Sequence, residues 1–150
     1  MLVGPMTLFE KTTKNILEGL VPGYVSQGLS AHLMTQAYTP MAATQKSLAD
    51  IAPWEVAGQG YAAKPLTGVA VSLGAAKVSL VSDPIIFGAP ITLPLFRYLV
   101  LATGLPGVGG STKYLVAYAD LLVGGGAREV VRGSLTFNHD EDGWLSFAWA

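Results

Sequence analysis

The most apolar stretch of the chain, IIFGAPITLPLFRYLVLATGLPGVGG (residues 85–110), is interrupted by Pro90, Pro94, Arg97 and Pro106. A helix that crosses a bilayer needs about 20 consecutive apolar residues. Proline inside a helix removes a hydrogen bond and clashes with the preceding turn. This stretch therefore reads as strands, and the chain is not expected to enter a membrane. The N-terminal MLVGPMTLFEKTTKN lacks a basic segment followed by an apolar run and a small-residue cleavage site, so no secretory leader is expected either.

Glycine and proline cut the rest of the chain in the same way. LSAHLMTQAY reads as a strand, and TPMAATQKSLADIAPW as a connection with one or two helical turns. In GVAVSLGAAKVSLV, the spacing of Val69, Val71 and Leu73 against Val78 and Leu80 predicts a hairpin folded around residues 74–77. FRYLVLAT and KYLVAYADLLV are apolar on both faces, as central strands are. REVVRGSLTF is expected to turn at NHDEDG and pair with WLSFAWA. One helix is legible in TLFEKTTKNILEGL. Thr7 and Glu10 have capping-box spacing, Phe9, Ile16, Leu17 and Leu20 form the apolar stripe, and Gly19 with VPG (21–23) would end it. These elements predict a mainly β chain of 150 residues in a single β-rich domain. The expected form is an antiparallel sandwich, jelly-roll or immunoglobulin-like, or a partly open barrel, with residues 1–23 as an N-terminal arm and helix.

Charge narrows the function. Charged residues make up 13% of the chain, against about 25% in an ordinary soluble domain, and mean hydropathy is +0.45. Such a surface is expected to be covered by other protein. The net charge of −1 and the scattered basic residues argue against nucleic acid, which needs clustered Lys and Arg. With no cysteine there is neither a disulfide nor a thiolate site.

The chemical motifs are weak. GLPGVGGSTKY (104–114) approaches a phosphate-binding loop but lacks the lysine directly after its last glycine. It also joins two strands where that motif joins a strand to a helix, so it reads as a hairpin loop. His139, Asp140, Glu141 and Asp142 offer hard-metal ligands, but the run is half the length of a calcium loop and suits a solvated turn. His32 has no G-x-S-x-G serine to serve and is expected to make a structural hydrogen bond or face a partner. Neither a catalytic residue nor a cofactor or metal site is expected. Leu145, Phe147 and Trp149 share one face of the last strand, as core or as contact with a neighbour.

DIAPWEVAGQGY (50–61), SDPIIF (82–87), FRYLVLATG (96–104), LVAYADL (115–121) and the closing GSLTFNHDEDGWLSFAWA occur in an order that resembles small virion structural proteins of tailed bacteriophages. The resemblance covers most of residues 7–150. It implies a non-enzymatic building block of the virion, assembled in the host cytoplasm: a capsid decoration or cement protein, or a neck, collar or tail component. The implied partners are further copies of the chain in a homo-oligomer and major capsid, portal or tail proteins. A receptor- or glycan-binding module of a virion appendage is the alternative. Interfaces are expected in residues 1–23, 38–61 and 104–112, with Phe9, Tyr24, Tyr38, Trp54, Tyr61, Leu105, Val108 and Trp149 as candidates. GVAVSL and VSLVS are candidate edges for strand addition between subunits.

Overall fold

Proline lacks the N–H that a ladder requires, so a strand that contains proline must bend or slip where proline stands. The structure, a computed structural model that describes residues 1–18, 28–103, 113–121 and 128–149, shows this in strand β7 (Ile85–Thr103). This 19-residue strand runs through both Pro90 and Pro94. Its antiparallel partner β9 (Arg128–His139) shifts register between Phe87 and Ile91, between Ile91 and Leu93, and between Leu93 and Phe96. Irregularities of this kind bend a strand and increase its twist. The main sheet is accordingly curled into a partly open half-barrel, in a mainly β fold with a second sheet beside it.

β7 is the spine of the main sheet. Phe96 faces Thr35 of β3 (Leu29–Thr35) and also Arg128 of β9, while Tyr98 faces Met34 of β3 and also Asp120 of β8 (Leu115–Asp120). β3 therefore lies on one flank, and β8 and β9 follow one another along the other. The N-terminal residues are woven into this frame. β1 (Leu2–Val3) pairs parallel with Asn138 and His139, and β2 (Thr7–Leu8) pairs antiparallel with Tyr118 and Ala117. β4 (Lys64–Pro65) adds to the outer side of β3.

Helix α1 (Glu10–Leu17) starts later than the Thr7–Glu10 spacing predicts. Thr7 is committed to β2, and the first N–H groups of the helix region find tertiary acceptors. Phe9 donates to the Val116 carbonyl at 2.9 Å and Glu10 to the Ala42 carbonyl at 3.0 Å. Phe9 is buried, but Leu17, expected on the same stripe, is exposed. A second helical turn, α2 (Leu48–Ile51), leads into a 3-10 turn at Ala52–Trp54. The Asp50 carboxylate accepts N–H bonds from Lys46 and Ser47 at 3.0 and 2.9 Å. Those bonds hold it below the ordinary carboxylate range.

The second sheet has the order β10 (Leu145–Ala148), β6 (Lys77–Val81), β5 (Ala70–Leu73). The expected hairpin between β5 and β6 is present, closed by a Gly74 N–H to Lys77 carbonyl bond of 2.8 Å. The expected pairing of the last two long segments is not. After the turn at Asp140–Gly143 the chain leaves β9 and β10 pairs with β6. Trp144 sits at this crossing, fully buried, with its indole N–H donated to Ser82 Oγ at 2.9 Å.

Where β3, β7 and β8 pair, both faces of the main sheet are covered. Leu33, Phe87, Leu99 and Phe137 share one core with Leu80, Trp144 and Leu145 of the second sheet. On the opposite face Met34, Tyr98 and Val100 pack under Phe9, Tyr38 and Ile51. β3 is accordingly buried from Leu29 to Met34, the polar Ser30 and His32 on one of its faces included.

Gly143 makes the crossing possible. Its φ is +78°, and a Cβ there would lie 2.5 Å from the Leu80 carbonyl oxygen. Gly143→Ala is expected to lower stability by about 2 kcal/mol or more, the sum of left-handed strain and a clash with backbone. A urea-unfolding midpoint unchanged from wild type would refute the crossing geometry.

Candidate functional site

A polar cluster lies next to the outer strand of the main sheet, built on the alternation of β3. Ser30 and His32 are two residues apart and point to the same face. Ser30 Oγ is 2.8 Å from His32 Nε2, and His32 Nδ1 is 2.8 Å from Glu55 Oε1. The Tyr61 hydroxyl donates to the same Glu55 oxygen at 2.9 Å and accepts the Leu33 N–H at 3.0 Å. The bond order from serine through imidazole to carboxylate is that of a nucleophile–base–acid relay. Ser30 and His32, however, are only 6% and 3% exposed, and an attacking oxygen needs an approach. In this structure the arrangement joins β3 to the 55–61 segment and satisfies polar groups that would be costly to bury alone. His32 therefore makes the structural hydrogen bonds expected of it. Burial works to raise the Glu55 carboxyl, but the His32 and Tyr61 bonds more than offset it, with help from the Lys113 charge, and hold it below the ordinary range.

The acidic turn is employed by the fold. Asp140 Oδ1 accepts the Asp142 N–H at 2.9 Å, His139 Nδ1 meets the Asp140 carbonyl at 2.7 Å, and Asp142 forms an ion pair with Lys77 of β6. The turn thus clamps the crossing between the two sheets. Among the described residues no three His, Asp or Glu side chains gather as a metal site would require.

The residues expected at interfaces fall into four groups. Phe9 and Tyr38 are enclosed by the chain itself and offer no surface to a neighbour. The Phe9 ring lies 5.3 Å from that of Tyr118, and the Tyr38 hydroxyl donates to Gln45 Oε1 at 2.6 Å. Burial raises the Tyr38 phenol well above its usual value. Tyr61 is half-buried and stacked on Phe87, and Trp54 is partly exposed beside Tyr38. Trp149 is exposed at the end of the last strand. Tyr24, Leu105 and Val108 lie outside the described residues. The arm expected to drape over neighbours is, over residues 1–9, part of the chain's own sheet and core, with Val3 and Met6 buried.

The second sheet carries an apolar surface instead. Registers place Leu145, Leu80 and Val71 side by side on one face, with Phe147, Val78 and Leu73 next along it. At the first row Leu145 and Leu80 enter the shared core. Val71, at the outer end of that row, and the residues further along are open, leaving Val71 58%, Leu73 76%, Phe147 52% and Trp149 50% exposed. The triplet Leu145, Phe147 and Trp149 is thus core at one end and open surface at the other. Val71 and Leu73 lie in GVAVSL, expected as an edge for strand addition, and Phe147 in the triplet expected as core or as contact with a neighbour, although none of the three is among the single residues expected at interfaces. The signal for the first two was present in GVAVSL, but only the pairing of β10 with β6 brings Phe147 beside them.

The Glu55 carboxyl has a lower pKa folded than unfolded. Its contribution is therefore fully present above the unfolded value of about 4.5 and is lost as pH falls through the folded value. Glu55→Gln is expected to cost about 1–3 kcal/mol at neutral pH. Its deficit against wild type should shrink as urea unfolding is repeated toward pH ~3.5. A deficit independent of pH would exclude the charge as the cause.

Comparison with protein-family models, with curated proteins and with solved structures finds no match to this chain.

Proposed function

We propose that this chain is a non-enzymatic structural subunit that works by assembling with copies of itself and with neighbouring proteins. The setting suggested by the order of its sequence segments is a tailed-bacteriophage virion, as a decoration or cement protein or a neck or tail component. The observation that carries the reading is the exposed apolar face of the second sheet. Val71, Leu73, Phe147 and Trp149 are each at least half exposed on a chain with only 13% charged residues. Exposed apolar side chains that adjoin one another, unlike scattered single ones, mark interaction sites. Subunits whose neighbours cover them have little need of surface charge, and their interfaces are the more apolar class.

The alternative of a glycan-binding appendage asks for aromatic rings displayed for a sugar. Trp144 is buried and Tyr61 is bonded through its hydroxyl on both sides, which leaves Trp54 and Trp149 for such a role. The relay-like trio is read as structural because its serine is enclosed.

Light scattering coupled to size exclusion, run over a hundredfold range of concentration, tests the self-assembly part of the proposal. The expected result is a defined oligomer, or a mass that rises with concentration. A monomer throughout would contradict it.

A further inference from the structure

Strand β5 ends the second sheet, and its hydrogen-bond phase can be read from the hairpin. Gly74 and Lys77 face each other and are hydrogen-bonded. Bonded and non-bonded pairs alternate along an antiparallel ladder. Leu73 opposite Val78 and Val71 opposite Leu80 are therefore non-bonded pairs, and the N–H and C=O groups of Val71 and Leu73 point away from β6 toward the open edge. Ala70 and Ser72 spend theirs on β6. The same two residues, Val71 and Leu73, carry the most exposed apolar side chains of the sheet.

Native edges are usually blunted by lysine, proline, charge or a bulge. The outer strand of the main sheet obeys this rule, since β4 consists of Lys64 and Pro65. β5 does not, because no charged residue occurs between Lys64 and Lys77 and its four-residue ladder with β6 is regular. The edge is also self-complementary. In an antiparallel pair centred on Ser72, Val71 of one copy faces Leu73 of the other. Both pairs then fall at hydrogen-bonded positions, so the four outward N–H and C=O groups of each strand close four bonds. The apolar side chains meet on one face, and no like charges are brought together.

We infer that the occupant of this edge is the β5 strand of a second copy, related by a two-fold axis through Ser72 and forming a continuous six-stranded sheet. The inference rests on the self-assembly reading above and names its contact. The two-fold places Ser72 opposite its own copy at a non-bonded position, where Cβ atoms lie about 4.5–5.5 Å apart. That is close to the ~3.5–4.5 Å a disulfide requires.

The chain has no cysteine, so Ser72→Cys supplies a single thiol. Under mild oxidation most of this variant is expected to become a covalent dimer. Ala75→Cys, at the tip of the hairpin and far from the axis, should stay largely uncross-linked. A second variant avoids dependence on the thiol. Val71→Pro removes only an outward N–H, which an edge strand tolerates, and leaves the bonds to β6 intact. It is expected to raise the concentration for half-assembly by about tenfold or more, since one bond is lost per copy. An oligomer by light scattering whose Ser72→Cys form does not cross-link, or cross-links no better than Ala75→Cys, would overturn the β5 pairing while leaving self-assembly standing. A chain monomeric at every concentration would overturn both and leave the edge to a strand from another protein.

Discussion

The pairing of β7 along both of its flanks is the constraint from which the rest of the architecture follows. A strand of 19 residues is far longer than the usual five or six, and it remains one element because different partners take different parts of it. β9 accompanies its proline-containing half, where the ladder slips three times. β3 and β8 hold its apolar half, where Leu99, Val100 and Leu101 are wholly buried. The bend imposed by Pro90 and Pro94 curls the sheet, and the curl gives the sheet an inner face on which the second sheet can rest. The two-sided burial of β3 and β7 also explains how so apolar a chain uses its hydrophobic residues. Two core clusters, one on each side of a single sheet, take the largest of the buried side chains.

The second consequence concerns the crossing at Trp144. Had the last strand folded back on β9, Phe147 and Trp149 would have extended the main sheet. Gly143 in a left-handed conformation, the Asp142–Lys77 ion pair and the Trp144 indole bond to Ser82 together redirect the chain onto β6. The small sheet is thereby anchored at its Leu80–Leu145 end and exposed at the other. Its exposed apolar side chains are thus a product of topology, and the functional proposal depends on that topology.

Much of the local structure was legible in the residues. The β5–β6 hairpin, the two central strands and the helical turns in the 38–61 connection stand where periodicity and turn residues place them. What was not legible is non-local. Alternation in WLSFAWA identifies a strand but does not reveal which strand it joins, and the nearest partner in sequence, β9, was the wrong one. The Thr7–Glu10 spacing has the form of a helix cap, but Thr7 pairs with Tyr118, 111 residues away, and that tertiary pairing overrides a local signal. Phe9 and Tyr38 are large aromatics whose burial depends on which face of β7 they cover, and no window of sequence carries that information. The polar cluster was half visible. His32 was recognisable as a structural donor or acceptor, but Glu55 and Tyr61 reach it only through the bridge between Met34 and Glu55.

If β5 is the contact between copies, the outward groups of Val71 and Leu73 are paired in the assembly and free in the single chain. Hydrogen exchange resolved at single amides, compared between dilute and concentrated protein, addresses it directly. The Ala70 and Ser72 amides, bonded within the hairpin, should be protected to the same degree at both concentrations. Val71 and Leu73 should exchange freely when dilute and become protected when concentrated. If Val71 and Leu73 exchange at the same fast rate at the highest concentration reached, the edge is not an interface between copies and the account is wrong at its centre.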